Sequence, residues 1–124
     1  MQLTAIQGEL RQLITRHCAT LGREAGALES ALESLYEADG DPFLAMQAAA
    51  GHAHKIKGSS GTIGFMPVSE KAKVLEQLLR GMQNDLTMLT EGNLEMAHKL
   101  CADLNQTVAR LQPTDSTLYY SGLA

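Results

Sequence analysis

One histidine in the middle of the chain, His54, stands among residues whose types and spacing suit a reaction with another molecule. On an α-helix, residues three, four and seven apart share a face, and from His54 that face holds Lys57, Gly58 and Gly61. The imidazole would therefore lie beside an ammonium group and next to two positions without side chains. Each glycine inside a helix costs roughly 0.5–1 kcal/mol relative to alanine. Two of them on one stripe indicate a bare surface on which a second molecule can approach the ring.

The opposite face of this segment is apolar or small at helical spacing. Its members are Met46, Ala49, Ala53, Ile56, Ser60 and Ile63. An amphipathic helix turns such a stripe towards the protein core. We therefore expect His54 to face solvent and Ile56 to be buried.

Two other kinds of chemistry are not expected from the same segment. The glycine-rich run 58–64 lacks the Gly-Lys-Ser/Thr ending and the preceding strand of a nucleotide-binding P-loop. His52 and His54 are only two residues apart, so on a helix they point about 200° away from each other. No second pair of ligands accompanies them, and we predict no metal site.

The composition limits the class of protein. The 124 residues are 44% hydrophobic but only 4% aromatic, which suits one helical domain with a single core. A net charge of −4 argues against a nucleic-acid partner. Cys18 and Cys101 lie on apolar stripes and are predicted to be buried thiols rather than a disulfide. No apolar run reaches the roughly 18 residues of a membrane span, and no signal peptide is visible, so we predict a cytoplasmic protein without membrane contact.

Hydrophobic periodicity predicts four helices, over residues 4–38, 42–63, 67–84 and 93–111. Gly22 and Gly26 interrupt the first, which would fit one bent helix or two consecutive helices; we favour a short break or bend at 22–26. Gly40 is expected to cap its end in the left-handed conformation. Asp41-Pro42 and Gly64 are start and stop signals for the second helix.

Four amphipathic helices with short connections pack most simply as an antiparallel up-down-up-down four-helix bundle, and the predicted fold is therefore all-α. The second and third helices would then lie side by side, with the turn between them near residues 64–67. This arrangement brings residues 54 and 76 to similar heights.

The motif resembles that of histidine phosphotransfer (HPt) domains over about residues 1–112. His54-x-x-Lys57-Gly58 is followed by small residues and by Gly64, ten residues after the histidine. The similarity is closer still to the phosphoacceptor (P1) domain of chemotaxis-type histidine kinases, where Gly-Thr-aliphatic-Gly-Phe follows, here 61–65, and a Leu-Glu pair lies on the next helix, here 75–76. Many other HPt domains have glutamine in place of this glutamate.

The resemblance implies specific roles for three side chains. His54 would accept a phosphoryl group, and Glu76 would hold the Nδ1 proton so that Nε2 is the nucleophile. Lys57 would offset the charge of the phosphoryl oxygens. Chemotaxis-type domains often carry a second histidine three residues before the glutamate; this chain has Lys73 there, so an extended hydrogen-bond network would differ.

Further expectations concern partners and organisation. Gly58, Gly61 and Lys55 are predicted to form the docking face for receiver domains, and Gly64 to be structural. The chain is expected to be a monomeric phosphorelay carrier without an ATP-binding domain. It is expected to have no cofactor of its own, because the partner receiver supplies Mg²⁺. A sensor or hybrid histidine kinase would be the other partner. Residues 1–112 would form the domain and 113–124 a flexible tail.

Two alternatives remain open. The chain could be an isolated phosphoacceptor domain of a chemotaxis-type histidine kinase, although its start at Met1 favours a free-standing protein. It could also be a helical adaptor that binds receivers without being phosphorylated, but the intact pair of His54 and Lys57 weighs against that function.

Overall fold

The computed structural model describes residues 2–37 and 40–120, and within them it contains four α-helices and no strand. Helix α1 spans Gln2–Glu33, α2 spans Pro42–Ile63, α3 spans Met66–Asn84 and α4 spans Glu91–Ala109. Short 3₁₀ turns follow α1, α3 and α4, at Ser34–Tyr36, Leu86–Met88 and Pro113–Asp115. The predicted all-helical class is confirmed.

Helix α1 is continuous through Gly22 and Gly26, so the alternative of two consecutive helices is wrong. The two glycines weaken helix formation, but Leu21, Ala25 and Leu28 around them are fully buried. Each glycine costs the helix roughly 1 kcal/mol, and burying side chains of this size stabilises it by more than that. A bend in α1 stays a prediction.

The end of α1 also differs from the prediction. The α-helix stops at Glu33 and passes into the 3₁₀ turn Ser34–Tyr36, whereas residues 38 and 39 of the predicted helix lie outside the described residues. Gly40 is not a left-handed cap, because Gly64 is the only glycine with a positive φ in the part of the chain that the structure describes. The helix has already ended before Gly40 is reached.

Helix α2, which carries the motif, begins and ends where its local signals predict. The Asp41 side chain accepts a hydrogen bond from the backbone N–H of Phe43, and Pro42 occupies the first turn. At the other end Gly64 adopts φ 89°, a left-handed conformation that residues with side chains disfavour. Its N–H donates a hydrogen bond to the carbonyl oxygen of Gly61 in the last turn of the helix.

The core lies between the four helices. Helix α1 packs against α2 and α4, and α3 packs against α2 and α4. The fully buried large side chains come from every helix and from the turn after α2: Ile14, Leu21, Leu28, Leu32, Met46, Ile56, Phe65, Val68, Leu75, Leu79, Met82 and Leu104. Both cysteines are free thiols, Cys101 buried and Cys18 half-buried. In the described ranges, no helix has the length and apolarity required to cross a bilayer.

Residues 116–119, which lie in the predicted tail, contact the turn after α2 and the first helix. The Ser116 hydroxyl donates to the carbonyl oxygen of Ile63, and the Thr117 N–H donates to that of Gly64 at 3.0 Å. Arg11 on α1 donates to the carbonyl oxygen of Tyr119 and lies over its ring. The predicted boundary at 112 stays a prediction, and residues 121–124 lie outside the described part.

Candidate functional site

His54 lies near the middle of α2 with its side chain on the outside of the bundle. The ring is 61% exposed, whereas Ala53 and Ile56 beside it are fully buried. This alternation follows from the apolar stripe of α2, which fixes the rotation of the helix and turns position 54 outward. A large partner can therefore reach the ring, as the helical spacing predicts.

Glu76 on α3 holds one side of this ring. The distance from His54 Nδ1 to Glu76 Oε2 is 3.0 Å, and the glutamate side chain is only 8% exposed. An ionised carboxylate can only accept hydrogen bonds, so this contact requires the proton on Nδ1. Nε2 is then the nitrogen with a free lone pair, which makes it the nucleophilic atom of the ring.

Two cations meet the same carboxylate. Lys57 Nζ lies 2.7 Å from Glu76 Oε1, and Arg80 Nε donates to Oε2 at 2.8 Å. Lys57 reaches across from α2, one turn after His54. Arg80 approaches from α3 itself, one turn after Glu76, where residues four apart are neighbours. We call these four residues, His54, Lys57, Glu76 and Arg80, the Glu76 cluster.

The cluster keeps Glu76 ionised. Burial alone would raise the pKa of Glu76, but hydrogen bonds from Lys57, Arg80 and His54 outweigh it and lower the pKa to about 2. At neutral pH the carboxylate is therefore anionic and able to hold the Nδ1 proton. It can also balance positive charge that develops on the ring when Nε2 forms a new bond.

The two glycines beside His54 differ in their surroundings. A Cβ at Gly58 would meet nothing within 4 Å, so the surface there is open. A Cβ at Gly61 would lie 3.3 Å from the Ser69 hydroxyl oxygen, and that hydroxyl donates to the Lys57 carbonyl oxygen at 2.8 Å. The predicted bare surface is therefore open at Gly58 but not fully at Gly61: α3 partly covers Gly61, and its lack of a side chain lets Ser69 approach α2.

The remaining predicted residues, Lys55 and Gly64, lie outside the cluster. Lys55 is exposed on α2 next to His54, and its carbonyl oxygen accepts from the Ser59 hydroxyl. Gly64 is buried at the turn, where a Cβ would collide with the Thr117 hydroxyl in addition to the strain of its positive φ. Among the described contacts, neither residue touches Glu76.

Several contacts were not predicted from the sequence. Arg80 was missed, although its position four residues after Glu76 on a predicted helix was a usable signal. The Ser69 and Thr117 contacts had no such signal, because they join segments that are far apart in the chain. His52, for which the sequence predicts no metal-binding role, has its Nδ1 3.0 Å from Glu24 on α1 and faces away from the Glu76 cluster.

The described residues offer no group of three or more His, Cys, Asp or Glu side chains that could hold a metal ion. A cleft between the start of α3 and the end of α4 is lined by Phe65, Pro67, Lys71 and Arg110, among others. None of the residues that line it belongs to the Glu76 cluster. The chemistry that the site supports is that of an exposed imidazole, oriented by a carboxylate that also pairs with the side chains of Lys57 and Arg80.

Comparison with known families agrees with this class of site. The sequence model of the Hpt domain matches residues 6–114, so the chain belongs to the Hpt domain family. The family predicted from the motif is confirmed, and membership implies histidine phosphotransfer within a phosphorelay. No curated protein and no solved structure matched the chain.

Proposed function

We propose that the chain is a phosphorelay carrier that accepts a phosphoryl group on Nε2 of His54 and exchanges it with receiver-domain aspartates. The observation that carries the proposal is the 3.0 Å contact between Nδ1 of an exposed His54 and the ionised Glu76. Family membership gives the class of reaction, and this contact together with the exposure of the ring supports His54 as the acceptor and Nε2 as its reacting nitrogen. His52 has a similar partner in Glu24 but is half-buried between α1 and α2.

The transfer step follows from this geometry. The Nε2 lone pair forms a bond to phosphorus while the P–O bond to the donor aspartate breaks, and the electrons of that bond remain on the departing carboxylate. The Nδ1 proton stays on the ring, which becomes formally cationic. Glu76 faces that proton and balances the new charge, so the carboxylate stabilises the product more than the reactant.

Lys57 would stabilise the phosphoryl group itself. Its ammonium is paired with Glu76, and Lys57 lies one helical turn after His54. The long, flexible lysine side chain would reach a group on Nε2 from there. Mg²⁺ and the acid residues would come from the receiver, and no cofactor is assigned to this chain. We place Gly58, Gly61 and Lys55 on the docking face: Lys55 and Gly58 are exposed on α2 beside the ring, and Gly61, which α3 partly covers, lies about one turn beyond Gly58 on the same face.

The arrangement of helices in this proposal is an antiparallel up-down-up-down bundle. It is supported by the order of contacts: Ser69 meets Lys57 while Glu76 meets His54, so α2 and α3 run in opposite directions. We further propose that the carrier works as a monomer in the cytoplasm, where the receivers and kinases of phosphorelays act.

Glutamate rather than glutamine at position 76 favours a second candidate within the same chemistry, the phosphoacceptor domain of a chemotaxis-type kinase. The two candidates differ in the donor. A kinase-type domain would be labelled by a separate ATP-binding kinase domain, whereas a relay carrier would be labelled by a phosphorylated receiver. Phosphotransfer from both kinds of donor distinguishes them.

The experiment that tests the acceptor is labelling with an acid-labile, base-stable phosphoryl group from phosphorylated receivers. Wild type and His52→Gln should be labelled, whereas His54→Gln should not. His52→Gln is the matched control, because it also removes a histidine that is paired with a glutamate at 3.0 Å. Label that persists in His54→Gln and is lost in His52→Gln would overturn the assignment.

A further inference from the structure

The charges of the Glu76 cluster do not balance before phosphorylation. One carboxylate, Glu76, contacts two cations, Lys57 and Arg80, so with a neutral His54 the cluster carries one positive charge in excess. A phosphoryl group adds roughly two negative charges near neutral pH, and the ring gains one positive charge when Nε2 is bonded. The cluster is then close to neutral. The second cation is therefore the charge that the phosphorylated state needs for balance.

The two cations stand in different positions relative to the incoming group. Lys57 shares α2 with His54 and bonds Oε1, the glutamate oxygen that His54 does not use. Arg80 bonds Oε2, the same oxygen that accepts from His54 Nδ1, and it does so from the helix that carries Glu76. Lys57 is therefore free to follow a charge on α2, whereas Arg80 stays with the carboxylate.

We propose that Arg80 is a positioning residue that keeps Glu76 compensated and aimed at His54 while Lys57 turns from Glu76 to the phosphoryl group. This inference rests on the proposed function of His54 and adds that Lys57 changes its partner from Glu76 to the phosphoryl group. Without Arg80, a single ammonium would serve both the carboxylate and the phosphoryl group. Two anions on opposite sides of one ring would then share one cation, which opposes phosphorylation.

The test uses phosphoramidate as a small donor, so that no docking surface is involved. The His54 Nε2 lone pair forms the new P–N bond, the P–N bond of phosphoramidate breaks, and ammonia leaves with its electron pair. The rate of phosphohistidine formation is followed by ³¹P NMR. We expect Arg80→Gln to be slower than wild type by about fivefold to tenfold, as the loss of one charge-assisted hydrogen bond implies.

Three further variants separate positioning from other effects. Arg80→Lys should recover most of the rate, because a lysine four residues from Glu76 can pair with it. Lys73→Gln is the matched control: it removes an exposed cation from the same helix and should react like wild type. In a Glu76→Gln background, Arg80→Gln should have almost no further effect, because Arg80 acts through the carboxylate.

The outcomes are distinct. Equal rates for wild type and Arg80→Gln, with His54 labelled in both, would overturn this inference and leave the proposed function standing. An undiminished effect of Arg80→Gln in the Glu76→Gln background would also overturn it, because Arg80 would then act on the phosphoryl group directly. No label on His54 of wild type, from phosphoramidate or from phosphorylated receivers, would overturn the proposed function and this inference with it.

Discussion

Lys57 Nζ lies 2.7 Å from Glu76 Oε1, so the lysine expected beside a phosphoryl group is bound to the glutamate expected to orient the ring. The two roles assigned from the sequence are therefore linked by an ion pair before phosphorylation. The linkage is asymmetric, because Arg80 also holds Glu76. Removing Lys57 leaves the carboxylate one cation, whereas removing Glu76 leaves the ring no acceptor for its Nδ1 proton.

The first prediction follows from this asymmetry. Glu76→Ala should shift His54 away from the Nδ1–H tautomer, because the accepting carboxylate is gone. Lys57→Ala should leave the tautomer almost unchanged, since Arg80 still positions Glu76. It should instead slow phosphotransfer, by an amount corresponding to ~1–3 kcal/mol of transition-state stabilisation. The measurement is ¹⁵N NMR of the His54 ring in both variants, combined with phosphotransfer kinetics.

His52 is the internal control for this NMR experiment, because its ring pairs with Glu24 on another helix. Its ¹⁵N shifts should not change in either variant. An unchanged His54 tautomer in Glu76→Ala would mean that Glu76 is an ordinary carboxylate, and the assigned orientation of the ring would be wrong.

A second prediction concerns stability in acid. The pKa of Glu76 is lowered from 4.5 to about 2 in the folded protein, so its contribution is fully present above the unfolded value and is lost as the pH falls towards 2. A shift of this size in a nearly buried group corresponds to up to about 3 kcal/mol. Urea unfolding at pH 5 and pH 3 should show a larger loss of stability in wild type than in Glu76→Gln. An equal loss of unfolding free energy in wild type and in Glu76→Gln would show that the ion pairs of Glu76 do not stabilise the fold.

The boundaries of the second helix were predictable because they depend on local residues. Asp41, Pro42 and Gly64 act within one turn of the helix ends, and the observed helix is the predicted one. The end of α1 was not predictable in this way. Gly40 fits a helix cap by its residue type, but the α-helix ends at Glu33 and passes into the 3₁₀ turn Ser34–Tyr36 before that glycine is reached.

The candidate site could be predicted only in part. His54, Lys57 and the open surface at Gly58 followed from helical spacing, and Glu76 followed from the family resemblance. Arg80 had a helical position that suggested a pair with Glu76, but an exposed arginine on a helix usually contacts only solvent. The cover of Gly61 by Ser69 and of Gly64 by Thr117 depends on how distant segments pack, which no local pattern contains.

A third prediction separates docking from chemistry at the glycine stripe. Gly58→Glu should fold, because a Cβ there meets nothing within 4 Å and most side chains form helices better than glycine does. It should slow phosphotransfer from a phosphorylated receiver through steric and charge conflict, but not the reaction with phosphoramidate. Equal receiver rates for Gly58→Glu and wild type would remove Gly58 from the docking face.

Gly61 provides the matched comparison. Gly58→Ala should raise the free energy of unfolding by up to about 1 kcal/mol through helix propensity. Gly61→Ala should gain less, because its Cβ would lie 3.3 Å from the Ser69 hydroxyl oxygen. Urea unfolding of the two variants measures the difference. An equal gain at both positions would show that the Ser69 side chain moves away from the new methyl group without a cost in stability.

The last prediction concerns the segment after α4. Removing residues 113–124 deletes the bonds from Ser116 and Thr117 to the turn that ends α2, and the contact of Tyr119 with Arg11. Two or three hydrogen bonds of this kind stabilise a fold by about 1–3 kcal/mol in total. Urea unfolding should show a loss of this size in the truncated chain, and Ser116→Ala, which removes one buried hydroxyl, should show part of it.

The same variants test where the domain ends. Because the segment contacts Ile63 and Gly64 rather than His54, truncation should lower stability while the rate of labelling by phosphoramidate stays near that of wild type. Arg11→Ala is the second probe, since it removes the hydrogen bond and ring contact to Tyr119 without shortening the chain. If truncation leaves the free energy of unfolding unchanged, residues 113–124 are a tail and the domain ends at 112. A measurable loss would extend the folded unit through Tyr119, beyond the residues that the family model matches.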